Sequence, residues 1–502
     1  MTLKLQLLCA AIAPFLSVNA FAQDGATPLQ EAQAQLDRIA ALDDAGPQLN
    51  AVIVTIDDLE TAISAALQTG GPLQGRTVLV KDNIEAREFA TTAGSLALAD
   101  NRTGRDAPLI ANLRAAGGVM LGKTNLSEWA NIRDGNSTSG WSAVGGLTRN
   151  PHAIDRNTCG SSSGSGAAVA AGFAWGAIGT ETNGSITCPA AMNGVVGFKP
   201  SVGLVSRRHI VPISSTQDTA GPMTHNVFDA ALLLGAIAGE DAEDSITTTV
   251  PNRRADYTTG LATASLDGVR IGVMRNQIGD RDDLAKIFQI ALTDLERAGA
   301  VLVDIEFEPD TRMYGDSFTV LKFELREEMG KYLRSLPGDD MPSSLADLIA
   351  FNSANEAAEM RWFGQNIFEQ AEATTDREAY EKARANAIRI AGEETIDALL
   401  AKNEVAFLIA PTRGPAWMSD LVNGDSFNGS IGFISPAAIA GYPHLTVPMG
   451  AIEGLPVGIS IFGAQWADHE VLKVGAAYER ARSASLPEPS FERWKPAERP
   501  RP

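Results

Sequence analysis

Cysteine, histidine and net positive charge are what this 502-residue chain has least of. Its three cysteines make no disulfide framework, so the fold must rest on a packed core. Cys9 lies near the N-terminus, which leaves Cys159 and Cys188. An oxidising compartment could join these two, but sequence does not show their separation, and we read them as buried free thiols. The five histidines, His152, His209, His225, His444 and His469, stand in no local pattern that marks a catalytic base, although a triad histidine can lie anywhere in sequence. A formal net charge of −20 argues against nucleic acid or an anionic membrane as partner, since both need clustered Lys and Arg. Beyond the N-terminus no apolar run is long enough to span a bilayer. No internal repeat is evident either.

What is present is the composition of a globular enzyme-sized chain, 44% hydrophobic and 20% charged. Lys4, the apolar stretch Leu5 to Val18 and the small-residue site Ala20-Phe21-Ala22 form a signal peptide pattern over residues 1–22, with cleavage expected after Ala22. Leu7 and Leu8 precede Cys9 where a lipoprotein site wants small residues, so no lipid anchor is expected. Export to the periplasm or medium follows as an expectation.

After a polar linker from Asp24 to Pro28, helical spacing recurs over Leu29 to Leu42 and Leu59 to Leu67. Thr77-Val78-Leu79-Val80 reads as a buried strand that delivers Lys81. Leu109 to Ala116 and the strand Val119 to Leu121 continue the alternation, as do strands at Val269 to Met274 and Val301 to Phe307 around a helix at Leu284 to Ala298. That is the βαβ signature of an α/β fold. Residues 311–402 are almost all helical pattern and charge, an inserted helical section. Strands return at Ala406 to Ala410, Leu445 to Pro448 and Val457 to Phe462, before a closing helix over Glu470 to Arg482.

Asn125 to Gly221 is dense in Gly, Ser, Thr and Asn, with one helical stretch at Ala167 to Trp175. A flexible linker is the plain reading, yet Val169, Phe173, Ile178, Ile186, Val195, Val196 and Phe198 recur too often for one. Within it, Cys159-Gly-Ser-Ser-Ser-Gly-Ser-Gly166 aims hydroxyls and N–H groups at one point. Gly160 to Gly164 formally fits G-x-S-x-G, which would make Ser162 a nucleophile, but Arg156 to Cys159 is a poor preceding strand. A dinucleotide fingerprint starting at Gly164 fails because Val169 holds the third glycine position. In Gly179-Thr-Glu-Thr-Asn-Gly-Ser-Ile-Thr-Cys-Pro189, Ser185 follows a tight Asn-Gly turn, so a nucleophile and the N–H groups of an oxyanion hole can share one loop. Lys81, at the end of an apolar strand, would lose its charge through desolvation, from ~10.4 toward neutrality.

Together these motifs resemble the amidase signature family from about Gln30 to the final helix, most closely the bacterial peptide amidases. The carriers are Cys159 to Ser165, Gly179 to Ala190 and Gly197-Phe-Lys-Pro200, with Asn125-Leu-Ser-Glu-Trp-Ala-Asn131 and Ser139-Gly-Trp-Ser142 beside them. The resemblance implies one amidase domain over residues 29–495, with its catalytic motifs in 77–222 and a mixed β-sheet covered by helices on both faces. It also implies Lys81 as base, Ser161 on a cis peptide as bridge, Ser185 as nucleophile and Ser162 as support. Thr182, Asn183, Gly184 and Ser185 would form the oxyanion hole, and no cofactor or metal is called for. The implied reaction is carboxamide hydrolysis through an acyl-enzyme on a small or short-peptide amide, by a monomer or homodimer. Thr187 stands where the family commonly has arginine, which disfavours a substrate carboxylate at that point. The alternatives are a non-catalytic binding protein and an amidotransferase subunit. The acyl pocket is expected from Asn125 to Trp141, the section after Met313, and Pro411 to Phe433 with Trp417.

Overall fold

Apolar runs flanked by turn residues build a mixed sheet of eleven strands in the computed structural model, which describes residues 25–251, 253–338 and 341–496. The expected signal peptide lies outside these residues. The eleven strands are β1 (Val52–Thr55), β2 (Thr77–Lys81), β3 (Val119–Thr124), β4 (Gly176–Glu181), β5 (Val196–Lys199), β6 (Thr219–Thr224), β7 (Arg270–Met274), β8 (Val301–Ile305), β9 (Phe407–Pro411), β10 (His444–Ile452) and β11 (Leu455–Phe462). Their order across the sheet is β1-β3-β2-β4-β6-β5-β10-β11-β9-β7-β8. β2 runs parallel to β3 and β4, β7 parallel to β8 and β9, and antiparallel strands fill the centre.

Helices cover both faces, which is why β2 is buried throughout and reads as an unbroken apolar run. Val78 and Val80 belong to the core cluster that the helices Pro108–Ala115, Val227–Ile237, Asp282–Arg297 and Asp468–Ala481 share. Leu79 points the other way, onto Pro28–Leu42, Leu59–Gln68 and Ser163–Ala170. The helical section runs from Arg312–Arg334 to Ala398–Lys402. Leu325, Met329, Tyr332 and Leu333 of its first helix pack on Trp129, Ile132, Val211 and Ile213, so it walls the loops beside the strand ends.

Two expectations change. The helix placed at Ala167 to Trp175 is Ser163–Ala170, because Gly176 onward is strand β4. β4 reads Gly-Ala-Ile-Gly-Thr-Glu and has little intrinsic strand character, but a Cβ on Gly179 would sit 2.7 Å from Ser162 Oγ, so close helix approach demands glycine there. Cys159 and Cys188 are not free thiols: they form a disulfide with Cα atoms 5.9 Å apart, brought together because the loops before Ser161 and after Ser185 meet. A separation of 29 residues hid that proximity.

Candidate active site

Three elements end at one point. β2 delivers Lys81, β4 delivers Thr180 and Glu181, and the loop before the helix Ser163–Ala170 delivers Ser161 and Ser162. The Gly160–Ser161 peptide is cis. Lys81 is fully buried, with Nζ 2.7 Å from Ser161 Oγ, 2.9 Å from Thr180 Oγ1 and 3.3 Å from the Thr180 carbonyl oxygen. All three partners are neutral, and burial pulls the lysine down to about 7 against the opposing pull of Asp218 and Glu181. The partner set fits a free amine. Two N–H bonds point at the Thr180 oxygens, and the lone pair is left to accept from the Ser161 hydroxyl.

Ser162 donates to the Thr180 carbonyl and accepts from the Thr180 N–H, both at 3.1 Å. Fully buried and occupied on both sides, it is a brace for the lysine's partner and not an attacking hydroxyl. Ser162 N–H also donates to the Ser185 carbonyl at 3.1 Å, which holds the Ser185 loop against the Ser161 loop. No hydrogen bond joins Ser161 Oγ to Ser185 Oγ among the described residues. Ser185 is 9% exposed against 1% for Ser161 and 0% for Lys81, so the trio opens to solvent at Ser185.

The loop from Thr182 to Ser185 turns through Gly184 at φ 83°. The N–H groups of these four residues have no protein acceptor among the described residues. The loop is pinned at both ends by carboxylates. Asp218 accepts from Thr182 Oγ1 at 2.6 Å and from the N–H groups of Ile213 and Ser214 at 2.8 Å. Glu181 Oε2 accepts from the N–H groups of Ile186 at 2.8 Å and Thr187 at 3.0 Å, immediately after Ser185. Asn183, by contrast, is exposed and meets Ser435 Oγ through its side-chain oxygen at 3.2 Å.

Thr180, Asn83, Glu181, Gln217 and Asp218 were not singled out from sequence. Thr180 and Glu181 lay inside a motif already in view, whereas Asp218 and Gln217 reach Thr182 from a stretch without any signal. A cavity of about 390 Å³ borders the site, lined by Asn83, Ala130, Thr180, Thr182, Asp218 and Tyr332 among others. Ala130 of the 125–141 loop, Glu328 to Ser335 of the helical section and residues 207–219 share its lining. Trp417 and its loop line a separate cavity of about 290 Å³ with Arg156, Arg413 and Trp494.

Comparison with known proteins places this arrangement among relatives. The amidase family profile matches residues 32–472. The crystal structure of native peptide amidase from Stenotrophomonas maltophilia is 46% identical, with a TM-score of 0.88, covering 93% of this chain and 96% of that one. A peptide amidase solved with the competitive inhibitor chymostatin is 47% identical at a TM-score of 0.89, covering 92% and 96%. A glutamyl-tRNA(Gln) amidotransferase subunit from Salinispora arenicola is 34% identical over 474 residues, 89% of this chain and 93% of that protein.

Proposed function

The chain belongs to the amidase family and hydrolyses amide C–N bonds, and from that premise we propose that it removes ammonia from the terminal carboxamide of short peptides, or from other small neutral amides, as an exported enzyme. The observation that carries the chemistry is the 2.7 Å contact from a fully buried Lys81 to Ser161, with no carboxylate among the described residues in direct contact with the amine. Neutral Lys81 takes the Ser161 proton, Ser161 takes that of Ser185, and Ser185 Oγ attacks the carbonyl carbon. The relay requires Ser161 Oγ and Ser185 Oγ to come within hydrogen-bond reach. The free N–H groups of Thr182 to Ser185 receive the oxyanion, worth roughly 3 to 4 kcal/mol for a donor. The proton returns through the relay to the leaving nitrogen, the C–N bond breaks, and water then cleaves the acyl-enzyme.

The peptide preference draws on the two peptide amidase structures, at 46% and 47% identity. Ammonia release across amidated dipeptides, free Asn and Gln amides, aryl anilides and fatty amides tests it. Amidated dipeptides should be turned over fastest; preference for fatty amides or anilides would overturn that choice. Activity only with a copurified partner and tRNA would favour an amidotransferase role instead. Export draws on the N-terminal pattern and on the Cys159–Cys188 disulfide, which persists in oxidising compartments. N-terminal sequencing of the native protein should begin at Gln23, and a retained Met1 would contradict it.

A further inference from the structure

Lys199 of the Gly197-Phe-Lys-Pro200 motif is a buried lysine that the relay does not use. It is fully buried, and its Nζ has one hydrogen bond among the described residues, to the Pro200 carbonyl at 3.2 Å. Lys199 and Gly197 alternate with Phe198 along β5, so they share a face. A Cβ on Gly197 would meet Ala190 and Ile186, which puts that face under the short helix that begins just after Ser185. The same helix start is gripped by Glu181, whose Oε2 takes the Ile186 and Thr187 N–H groups. Glu181 is 1% exposed and its second oxygen, Oε1, has no hydrogen-bond partner among the described residues. A buried carboxylate with an empty oxygen and a buried ammonium with empty N–H bonds therefore flank one helix start; no ion pair joins them among the described residues, and the carboxylate acts on the lysine through its charge.

We propose that Lys199 is a positioning residue: its buried ammonium balances the charge of the Glu181 carboxylate that holds the N–H groups behind Ser185, and the nucleophile loop thereby keeps its geometry. The pair also sets the field at the base. Glu181 and Asp218 both raise the proton affinity of Lys81, and Lys199 offsets Glu181. The other charged or titratable groups facing the pair are Arg413, which acts on Glu181, Asp468, which acts on Lys199, and His444, the β10 residue paired with Lys199 across the ladder and held neutral by burial, Lys199 and Arg413. Lys123, one strand over from Lys81, is neutralised by Asp82 at 2.8 Å.

The inference rests on the Lys81 relay proposed above. Its test is the pH profile of kcat in Lys199→Met, Glu181→Gln and Lys199→Arg, alongside the wild type. Lys81 acts as a free amine, so activity rises with pH through its titration. Lys199→Met leaves Glu181 opposed by Arg413 alone and should move the acidic limb up by about half a pH unit, whereas Glu181→Gln should move it down by about as much. Both should lower kcat about tenfold through a loosened loop. Lys199→Arg, which keeps the charge, should leave the limb in place. If Lys199→Met does not fold, the opposite shift in Glu181→Gln and the unmoved limb of Lys199→Arg still decide. Folded variants whose limbs coincide with the wild type overturn the Lys199 inference alone. A wild type without an acidic limb near neutrality would remove the relay itself.

Discussion

Lys81 and Lys123 sit on adjacent parallel strands, both fully buried, and they serve opposite ends. Lys123 meets Asp82 at 2.8 Å and also donates to the Ile84 carbonyl and Thr91. Lys81 meets two hydroxyls and a carbonyl, and the carboxylates of Glu181 and Asp218 act on it only at longer range. Burial depresses both lysines, but only Lys123 has a direct counter-ion to hold its charge. The lesson is that burial alone does not make a base; the withheld ion pair does.

The comparison can be broken by exchanging the consequences. Lys81→Met and Ser185→Ala should each cut kcat about 10⁴-fold or more while thermal unfolding stays near the wild type, read by ammonia release and calorimetry. Wild-type turnover in either variant would break the assignment of roles. Lys123→Met should do the reverse in kind. It strands Asp82 without its partner and should cost about 3 to 5 kcal/mol in denaturant unfolding, and adding Asp82→Asn should recover part of that. Reduction of Cys159–Cys188, which ties the two serine loops together, should cost about 3 kcal/mol of stability without moving the acidic limb of activity. A shifted limb would mean that the disulfide, and not the choice of partners, sets the Lys81 environment. Thr180→Val removes one hydroxyl from Lys81 and should lower kcat about tenfold, the worth of one buried hydrogen bond.

Both lysines also show where sequence is readable. Strand β2 was legible because burial on two faces leaves an apolar run, and the residue ending it was therefore marked. Ser161, Ser162 and Ser185 were legible through motif order; the structure brings Ser161 to Lys81 and Ser162 to Thr180, and the Ser162 N–H holds the Ser185 carbonyl beside them. Strand β4 was not, since the closeness of Ser162 forces glycine where a strand would show a branched residue. Asp218 and Gln217 were equally hidden, because their reach to Thr182 depends on how the 207–219 loop returns to the sheet, and no local pattern encodes that. The disulfide was misread for the same reason: two loops distant in sequence meet only once the sheet has formed.

The most direct test is to titrate the lysines of the Ser185→Ala protein by NMR after isotopic labelling of their side chains, with Lys81→Met as the assignment control. The account predicts a lysine signal that titrates at about 7 and is missing from the Lys81→Met spectrum. A Lys81 that stays charged throughout the range in which the enzyme turns over would contradict it.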